Sequence, residues 1–544
     1  LQGVNDDFLQ AKGESRFARV LQMPANRGRI LDRNGDVLAI STPVRSVAWS
    51  PPPSEREGEP AARPEPAKLR QLAALLEMDS RELSRHLSET ADFTYLRRQL
   101  APAVADRIAE LAIPGIHLEQ EFRRFYPGGE VTAHVLGFTG IDDNGQEGVE
   151  LAYDGVLAGK DGSRRVIKDR RGRIVEDVES IRLPQEGKDL HLSIDSKLQY
   201  LAYSALKEAV LENKARAGGV VILDARSGEV LALVNSPSFN PNDRSALAGA
   251  QLRNRALTDT YEPGSTMKPF TAAMALEQGK YRFDTVVDTG EGRMTIGNAT
   301  IRDTKKHGLM TVAEVIQKSS NVGAATMALA FEPEVMWGYF DRLGFGAPLG
   351  LGFPGEAGGR LRPAKTWKPI EQATMSYGHG LSVTLMQMAH AYLALARDGD
   401  LVPVTLMRAP GAPIQGQRVY SAQTAREIRT MLEMVVHEGG TAPMAQVAGY
   451  RVGGKTGTAH KIEAGRYANK YVSSFVGIAP MSDPRIIVAV MIDEPTAGKH
   501  YGGSVAGPVF SQIVAGTLRS MGIAPDAPLV PVQVAQDSHG AGKL

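Results

Sequence analysis

Between residues 67 and about 113, Leu69, Leu72, Leu75, Leu76, Leu83 and Leu87 recur at helical spacing, which predicts helices with one apolar face. The stretches on either side alternate and predict strands that pair with each other. The helical part is therefore expected to be an insertion in one N-terminal module. Ahead of it lies an extended segment with a turn at Asn34-Gly35, then a Pro-, Glu- and Arg-rich stretch from Pro51 to Pro66 that reads as an exposed loop or linker. From Gly187 the pattern changes. Leu190 to Ile194 reads as a strand, the segment around Ser204 as a helix, and Gly219–Leu223 with Val230–Val234 as a hairpin closed by Arg226-Ser227-Gly228. Tyr471–Ile478 and Ile486–Ile492 add two more strands. With a strand at Lys455 they predict an antiparallel sheet covered by helices, an α+β domain. The expected division is a non-catalytic module over 1–186, a catalytic domain over 187–522 and a loosely ordered tail over 523–544, rich in Ala, Pro and Val from Pro525.

A chain of 544 residues with 42% hydrophobic residues buries a large core and contains more than one domain. Its net charge of +1 offers no basic excess to neutralise phosphates, which argues against a nucleic-acid partner. The absence of cysteine excludes disulfides and thiol catalysis and is compatible with an oxidising compartment. The 11 histidines show no His-Glu-x-x-His or similar spacing, so no metal and no cofactor is expected. No run of 18 or more apolar residues is present.

The chemistry lies in three short pieces. Ser265 and Lys268 stand one helical turn apart after Tyr261-Glu262-Pro263-Gly264, followed in order by Ser319-Ser320-Asn321 and by Lys455-Thr456-Gly457-Thr458. A serine hydroxyl is a weak nucleophile at its free pKa, and an unprotonated lysine three residues on along a helix can serve as its base. Each piece alone is weak: Ser204 with Lys207 and Ser238 with Asn240 repeat the first two patterns. Context separates them, because Ser204 lies mid-helix and Ser238 sits among Pro237, Pro241 and Asn242, whereas Ser265 follows a Pro-Gly where a helix can begin. In the expected roles, Lys268 is held neutral by burial and the Lys455 charge and takes the Ser265 proton. Ser319 passes protons, Asn321 holds a peptide carbonyl, and the Thr456 and Thr458 hydroxyls, backed by Lys455, take a terminal carboxylate. Gly457 leaves room for a substrate backbone along the strand edge. The backbone N–H groups of Ser265 and Thr458 form the oxyanion hole.

The ordered triple and the closing Tyr501-Gly502-Gly503-Ser504-Val505-Ala506-Gly507-Pro508 resemble a class B penicillin-binding protein. So do Arg27-Gly28-Arg29-Ile30-Leu31-Asp32-Arg33-Asn34-Gly35, Phe122-Arg123-Arg124-Phe125-Tyr126-Pro127 and Gly145-Gln146-Glu147-Gly148-Val149-Glu150, so the likeness spans nearly the whole chain. Within that family it is most similar to the division-specific transpeptidases of Gram-negative bacteria. The resemblance implies a penicillin-binding transpeptidase domain with a helical subdomain, preceded by an elongated N-terminal module. It implies a serine D,D-transpeptidase that cross-links stem peptides ending in D-Ala-D-Ala and is acylated by β-lactams, with Tyr501 and Gly502 beside the substrate. It further implies a membrane-embedded division glycosyltransferase as partner and a place on the periplasmic face of the inner membrane. Asp7–Gly13 resembles the segment just after a membrane anchor, so the anchor is expected to lie outside this chain. His500-Tyr501 departs from the family's two aromatics and puts the apolar substrate wall in doubt.

The rival enzymes are a serine β-lactamase and a β-lactam sensor, and the non-enzyme alternative is a division scaffold. A class A lactamase carries a Glu-x-x-Leu-Asn loop to position hydrolytic water, and none occurs between Asn321 and Lys455. Three other features read as structural. Glu147, Glu150 and Asp154 are expected to pack and hydrogen-bond between domains, Gly352–Gly359 to form a loop over the cleft, and Ser376–Gly380 with His379 to lie near the site without forming a triad.

Overall fold

A computed structural model of the protein describes residues 18–51, 64–89, 93–168, 174–243, 245, 249–409, 411, 414–463 and 465–528. The segment after the expected anchor, most of the Pro51–Pro66 linker and the tail from 529 lie outside the described residues. The chain divides into two compact units, one of Leu1–Leu31, Val37–Pro127 and Gly137–Leu190, the other of Asp32–Asp36, Gly128–Leu136 and His191–Leu544.

In the first unit the long strand Val37–Trp49 pairs antiparallel with Ile116–Phe125, from Ile40 opposite Phe125 to Trp49 opposite Ile116. The residues between them are not all helical. Helices Pro66–Leu76, Ser80–Glu89 and Pro102–Glu110 are interrupted by a strand, Thr94–Leu100, which pairs with Val37–Trp49. Its sequence Thr-Tyr-Leu-Arg-Arg-Gln-Leu is short and polar, and the edge of the sheet rather than local periodicity makes it a strand. The leucine stripe does what its spacing predicts, since Leu72, Leu76 and Leu83 are buried against Val47, Ile108 and Ile113.

The same unit buries an ionic knot. Glu150, fully buried, accepts from Arg27 Nε and Arg124 Nε at 2.7 Å each, and Asp154 takes Arg27 Nη1 at 2.7 Å. Glu150 and Asp154 therefore tie together strands and turns of their own unit rather than bridging two domains. Burial disfavours the Arg27 charge, but Glu150 and Asp154 outweigh it and raise its pKa. One carboxylate neutralises two buried guanidinium groups, so Glu150→Ala should destabilise this unit by about 3 kcal/mol or more, read as a fall in the urea midpoint. A shift below about 0.5 kcal/mol would mean that water already reaches the arginines.

The second unit is built on a five-stranded antiparallel sheet in the order Val230–Ser236, Ala217–Asp224, Ile486–Asp493, Arg466–Ala479, Gly453–Glu463. Every residue of Ala217–Asp224, Val230–Ser236 and Ile486–Asp493 is buried, so both faces of the sheet are covered. The covering helices include Leu385–Ala396, buried at all twelve positions, as well as Ser196–Glu212 and Gly507–Ser520. The hairpin turn at Arg226-Ser227 is fixed by Asp224, whose Oδ1 accepts from both backbone N–H groups at 2.9 Å. The expected strand over 190–194 shrinks to Leu190–His191 and an isolated bridge from Leu192 to Met407, because Ser193 turns its hydroxyl to the carbonyls of Val230 and Thr405. Smaller helices, among them Lys268–Glu277, Val312–Lys318, Asn321–Leu329 and Pro369–Met375, make the helical part beside the sheet. The strand Gly453–Glu463 closes the sheet at its edge, with a strand partner on one flank only among the described residues.

Candidate active site

Ser265 sits in a single 3-10 turn, Gly264–Met267, that runs straight into the helix Lys268–Glu277. The turn is held from three sides. Thr266 Oγ1 donates to the Pro263 carbonyl at 2.8 Å, Tyr392 donates to the Thr266 carbonyl at 3.1 Å, and Gly264 N–H donates to the Gly378 carbonyl at 3.1 Å. Gly378, at φ +86°, approaches so closely that a Cβ there would lie 2.1 Å from the Gly264 carbonyl oxygen. The Ser376–Gly380 segment is thus a brace for the nucleophile's turn. By contrast Ser204 lies inside the helix Ser196–Glu212 and Lys207 is salt-bridged to Glu130 at 2.7 Å, while Ser238 donates to the Glu130 carbonyl. Neither decoy pair has the first pair's setting.

Lys268 is fully buried, and its Nζ donates to Ser319 Oγ at 3.1 Å, Asn321 Oδ1 at 2.8 Å and the Ser319 carbonyl at 2.5 Å. Burial drives its pKa well below the ordinary lysine value, the charge of Lys455 pushes the same way, and Asp303 pulls back. Lys455, also fully buried, is lowered by burial to about 7. Its Nζ donates to Thr456 Oγ1 at 3.2 Å. Two lysines within mutual electrostatic reach and out of water cannot both stay charged cheaply, so burial and their mutual repulsion favour one of them being neutral.

The second motif is a joint between two helices. Val312–Lys318 starts with a capping box of Thr311 and Glu314 and ends at Ser319, a non-glycine residue at φ +63°. Such a left-handed residue costs of order 1 kcal/mol and turns the chain so that Ser319 and Asn321 both face Lys268. Ser320 instead caps the helix Asn321–Leu329, accepting from Gly323 N–H at 2.9 Å. Asp303, which no sequence motif marks, fixes this joint: its carboxylate accepts from Ser320 Oγ at 2.6 Å, Asn321 N–H at 2.5 Å and Val322 N–H at 3.0 Å. Asp303 also supplies the negative charge that Lys268 feels.

The third motif lies on the edge strand, and its glycine also meets a packing constraint. A Cβ on Gly457 would lie 2.3 Å from Ser474 Oγ and 2.9 Å from the Pro263 carbonyl, so glycine is needed for the strand to close on the Ser265 turn. Gly502 presses on the same strand, where a Cβ would lie 2.4 Å from the Gly457 carbonyl oxygen. Its N–H donates to Thr458 Oγ1 at 3.0 Å. Thr456 Oγ1 meets Thr441 Oγ1 at 3.1 Å as well as Lys455. Thr458 and Ser265 are brought close, since a Cβ on Gly264 would stand 3.6 Å from the Thr458 carbonyl oxygen. All the residues singled out for chemistry therefore converge in the second unit, together with Asp303 and Thr441.

Tyr501 is exposed and begins the short helix Gly502–Val505. Its ring is part of a continuous row: His500 lies 4.5 Å from Tyr501 and stacks on Tyr471 at 4.1 Å, and Tyr471 meets His460 at 4.5 Å. The row is continuous, with the imidazoles of His460 and His500 built into it beside the tyrosines. His379 packs edge-on to Tyr377 and Tyr467. Burial, with the charges of Lys268 and His460, pushes its pKa down to about 4, so it is neutral. Glu262, just before the nucleophile's turn, accepts from Gly380 N–H at 2.7 Å and from the Tyr467 hydroxyl at 3.1 Å. The loop from Gly352 to Gly359 is clamped from within by Glu356, which accepts from the N–H groups of Leu349 and Leu351.

Two family models match the chain: the penicillin binding protein transpeptidase domain over residues 218–515 and the penicillin-binding protein dimerisation domain over residues 22–192. Among curated proteins, the chain is 44% identical to the probable peptidoglycan D,D-transpeptidase PenA of Neisseria gonorrhoeae over 98% of this chain and 91% of that one. It is 41% identical to the peptidoglycan D,D-transpeptidase FtsI of Escherichia coli K12 over 97% of this chain and 89% of that one. Among solved structures, the TP domain of Burkholderia pseudomallei penicillin-binding protein 3 is 52% identical, with a TM-score of 0.58, covering 62% of this chain and 98% of that one.

Proposed function

The chain belongs to the penicillin-binding protein transpeptidases, and from that membership we propose how its site works as a peptidoglycan D,D-transpeptidase. Its substrates are stem peptides ending in D-Ala-D-Ala, it acts in septal wall synthesis, and β-lactams are its covalent inhibitors. The observation that carries the mechanism is the buried Lys268, one turn from Ser265 and bonded to Ser319 and Asn321.

Ser265 Oγ attacks the carbonyl carbon of the penultimate D-Ala, and its proton passes to neutral Lys268 Nζ. The oxygen that becomes negative is received by the N–H groups of Ser265 and Thr458. The C–N bond then breaks, the proton returns through Ser319 Oγ to the departing amine, and D-Ala leaves an ester on Ser265. An amine of a second stem attacks that ester, losing its proton to the same lysine; the ester C–O bond then breaks, Lys268 returns the proton to Ser265 Oγ, and the acyl group is left in a new amide between the two stems. Asn321 holds the donor's peptide carbonyl, and Thr456, Thr458 and Lys455 hold its terminal carboxylate. Gly457 leaves room for the donor backbone along the strand edge, with Gly502 and Tyr501 beside the substrate.

The enzyme works at the periplasmic face of the inner membrane beside a division glycosyltransferase, with residues 1–186 as the non-catalytic interaction module and 187–522 as the catalytic domain. Among the described residues no helix is long and apolar enough to cross a membrane.

A β-lactamase reading is separated by the fate of the acyl-enzyme. With no glutamate placed by a Glu-x-x-Leu-Asn motif between Asn321 and Lys455 to deliver water, the penicilloyl ester on Ser265 should last minutes or longer, roughly 10^3-fold or more slower to break than in an efficient hydrolase. Intact mass after removal of free penicillin measures it. Complete loss of the adduct within a second, with multiple turnovers of drug, would establish a lactamase.

A further inference from the structure

The hairpin formed by Arg293–Ile296 and Ala299–Arg302 stands beside the second motif, and its inner face packs on the helical part. Met294, Ile296 and Ile301 pack with Val322, Ala324 and Tyr377. The outer face carries Arg293, Thr295, Thr300 and Arg302, all exposed. Thr295 and Thr300 are directly opposed with their hydroxyls 3.3 Å apart, and Arg293 is directly opposed to Arg302. Like charges facing each other across two strands destabilise a ribbon. The nearest acids in sequence are occupied: Glu291 pairs with Lys306 at 2.5 Å, and the Asp303 carboxylate is spent on Ser320, Asn321 and Val322. Among the described residues neither guanidinium has an ion-pair partner. Lys305, exposed, adds a third cation, its carbonyl oxygen lying 3.2 Å from where a Cβ on Gly292 would be. A local conflict without structural compensation is expected at functional sites, and an anionic ligand is what would relieve this one.

The ribbon also touches the reaction site. The Arg302 carbonyl accepts from Asn321 Nδ2 at 3.0 Å, so the arginine pair begins one hydrogen bond from the amide that holds the donor peptide. We propose that Arg293 and Arg302 form a carboxylate subsite that grips an anionic side-chain carboxylate of a stem peptide lying beside the second motif. The proposal rests on the transpeptidase reading and deepens it, making the enzyme prefer stems with a free carboxylate to stems in which it is amidated. The planar guanidinium fork that each arginine of this directly opposed pair carries suits a carboxylate far better than a point charge does.

The test compares D-Ala release from a soluble peptide ending in D-Ala-D-Ala that carries a free side-chain carboxylate with release from its carboxamide analogue. The proteins are the native chain, R293Q/R302Q and R293K/R302K. The glutamine pair should raise KM for the carboxylate peptide roughly 10-fold with kcat nearly unchanged, leave KM for the carboxamide in place, and lose the native rise of KM with salt. The lysine pair should recover part of the loss. The carboxylate could come from the donor stem or the acceptor stem. A second arm therefore follows aminolysis of the preformed acyl-enzyme by an acceptor with and without its carboxylate, and a response in that arm alone assigns the subsite to the acceptor. A native protein that turns over, with both arms unmoved by the glutamine pair, overturns the subsite alone. A native protein that forms no penicilloyl adduct overturns the transpeptidase reading and the subsite with it.

Discussion

Ser265→Ala should abolish covalent labelling by penicillin completely while the protein remains folded. The hydroxyl is the atom that forms the ester, so nothing replaces it. The change removes one oxygen from a half-buried side chain, and the turn that holds residue 265 is fixed by Thr266, Tyr392 and Gly378 rather than by Ser265 itself. Intact mass after incubation with penicillin, beside a thermal melt, reads both halves of the expectation. Labelling that persisted, or that moved to Ser204, would refute the assignment. Ser204 is a poor substitute for a physical reason: its lysine at i+3, Lys207, is exposed and salt-bridged to Glu130, which raises its pKa and keeps it protonated.

Lys268→Ala should slow acylation roughly 10^3-fold or more, at least as severely as Lys455→Ala, because loss of the base prevents activation of the nucleophile at every pH. Lys268→Met, which keeps most of the buried volume, should be just as slow, which separates lost chemistry from a lost fold. The pH profile gives the sign. Lys268 acts only when neutral, and its pKa is depressed by burial and by Lys455, so the native rate rises as pH increases through that depressed value. Lys455 acts only when charged, and burial lowers its pKa to about 7, so the rate falls as pH rises through that region. Lys455→Ala should lose the alkaline fall and keep the acid limb. Second-order acylation rates across pH make the comparison, and a Lys268 variant with near-native rates would sink the base assignment.

Much of this site is written in the sequence because its pieces are short and local. A nucleophile and its base three residues apart need only a helix turn to meet, and Pro263-Gly264 supplies the start of that turn. The sheet strands are legible for a similar reason, since continuous apolar runs such as Val220–Leu223 and Ile486–Ile492 have no stable place except between two covered faces. Thr94–Leu100 was illegible because a short polar segment becomes a strand only when a neighbouring edge offers its hydrogen bonds.

Asp303 marks the other limit. Its three hydrogen bonds go to residues 17 to 19 positions later, and nothing about Arg302-Asp303-Thr304 as a string announces them. The packing constraint on Gly457 was also out of reach, because a Cβ there would clash with Ser474 and Pro263, which are near only after folding. The opposition of Arg293 and Arg302 depends on hairpin register, and the double load on Glu150 depends on bringing Arg27 and Arg124 to one buried carboxylate. The candidate groups for chemistry are legible in the string of residues, because reactivity belongs to residue types at short spacing. Tertiary structure alone decided which charges are buried, which lysine is neutral and which partner holds each motif, because desolvation and long-range hydrogen bonds exist only once distant segments exclude water from one another.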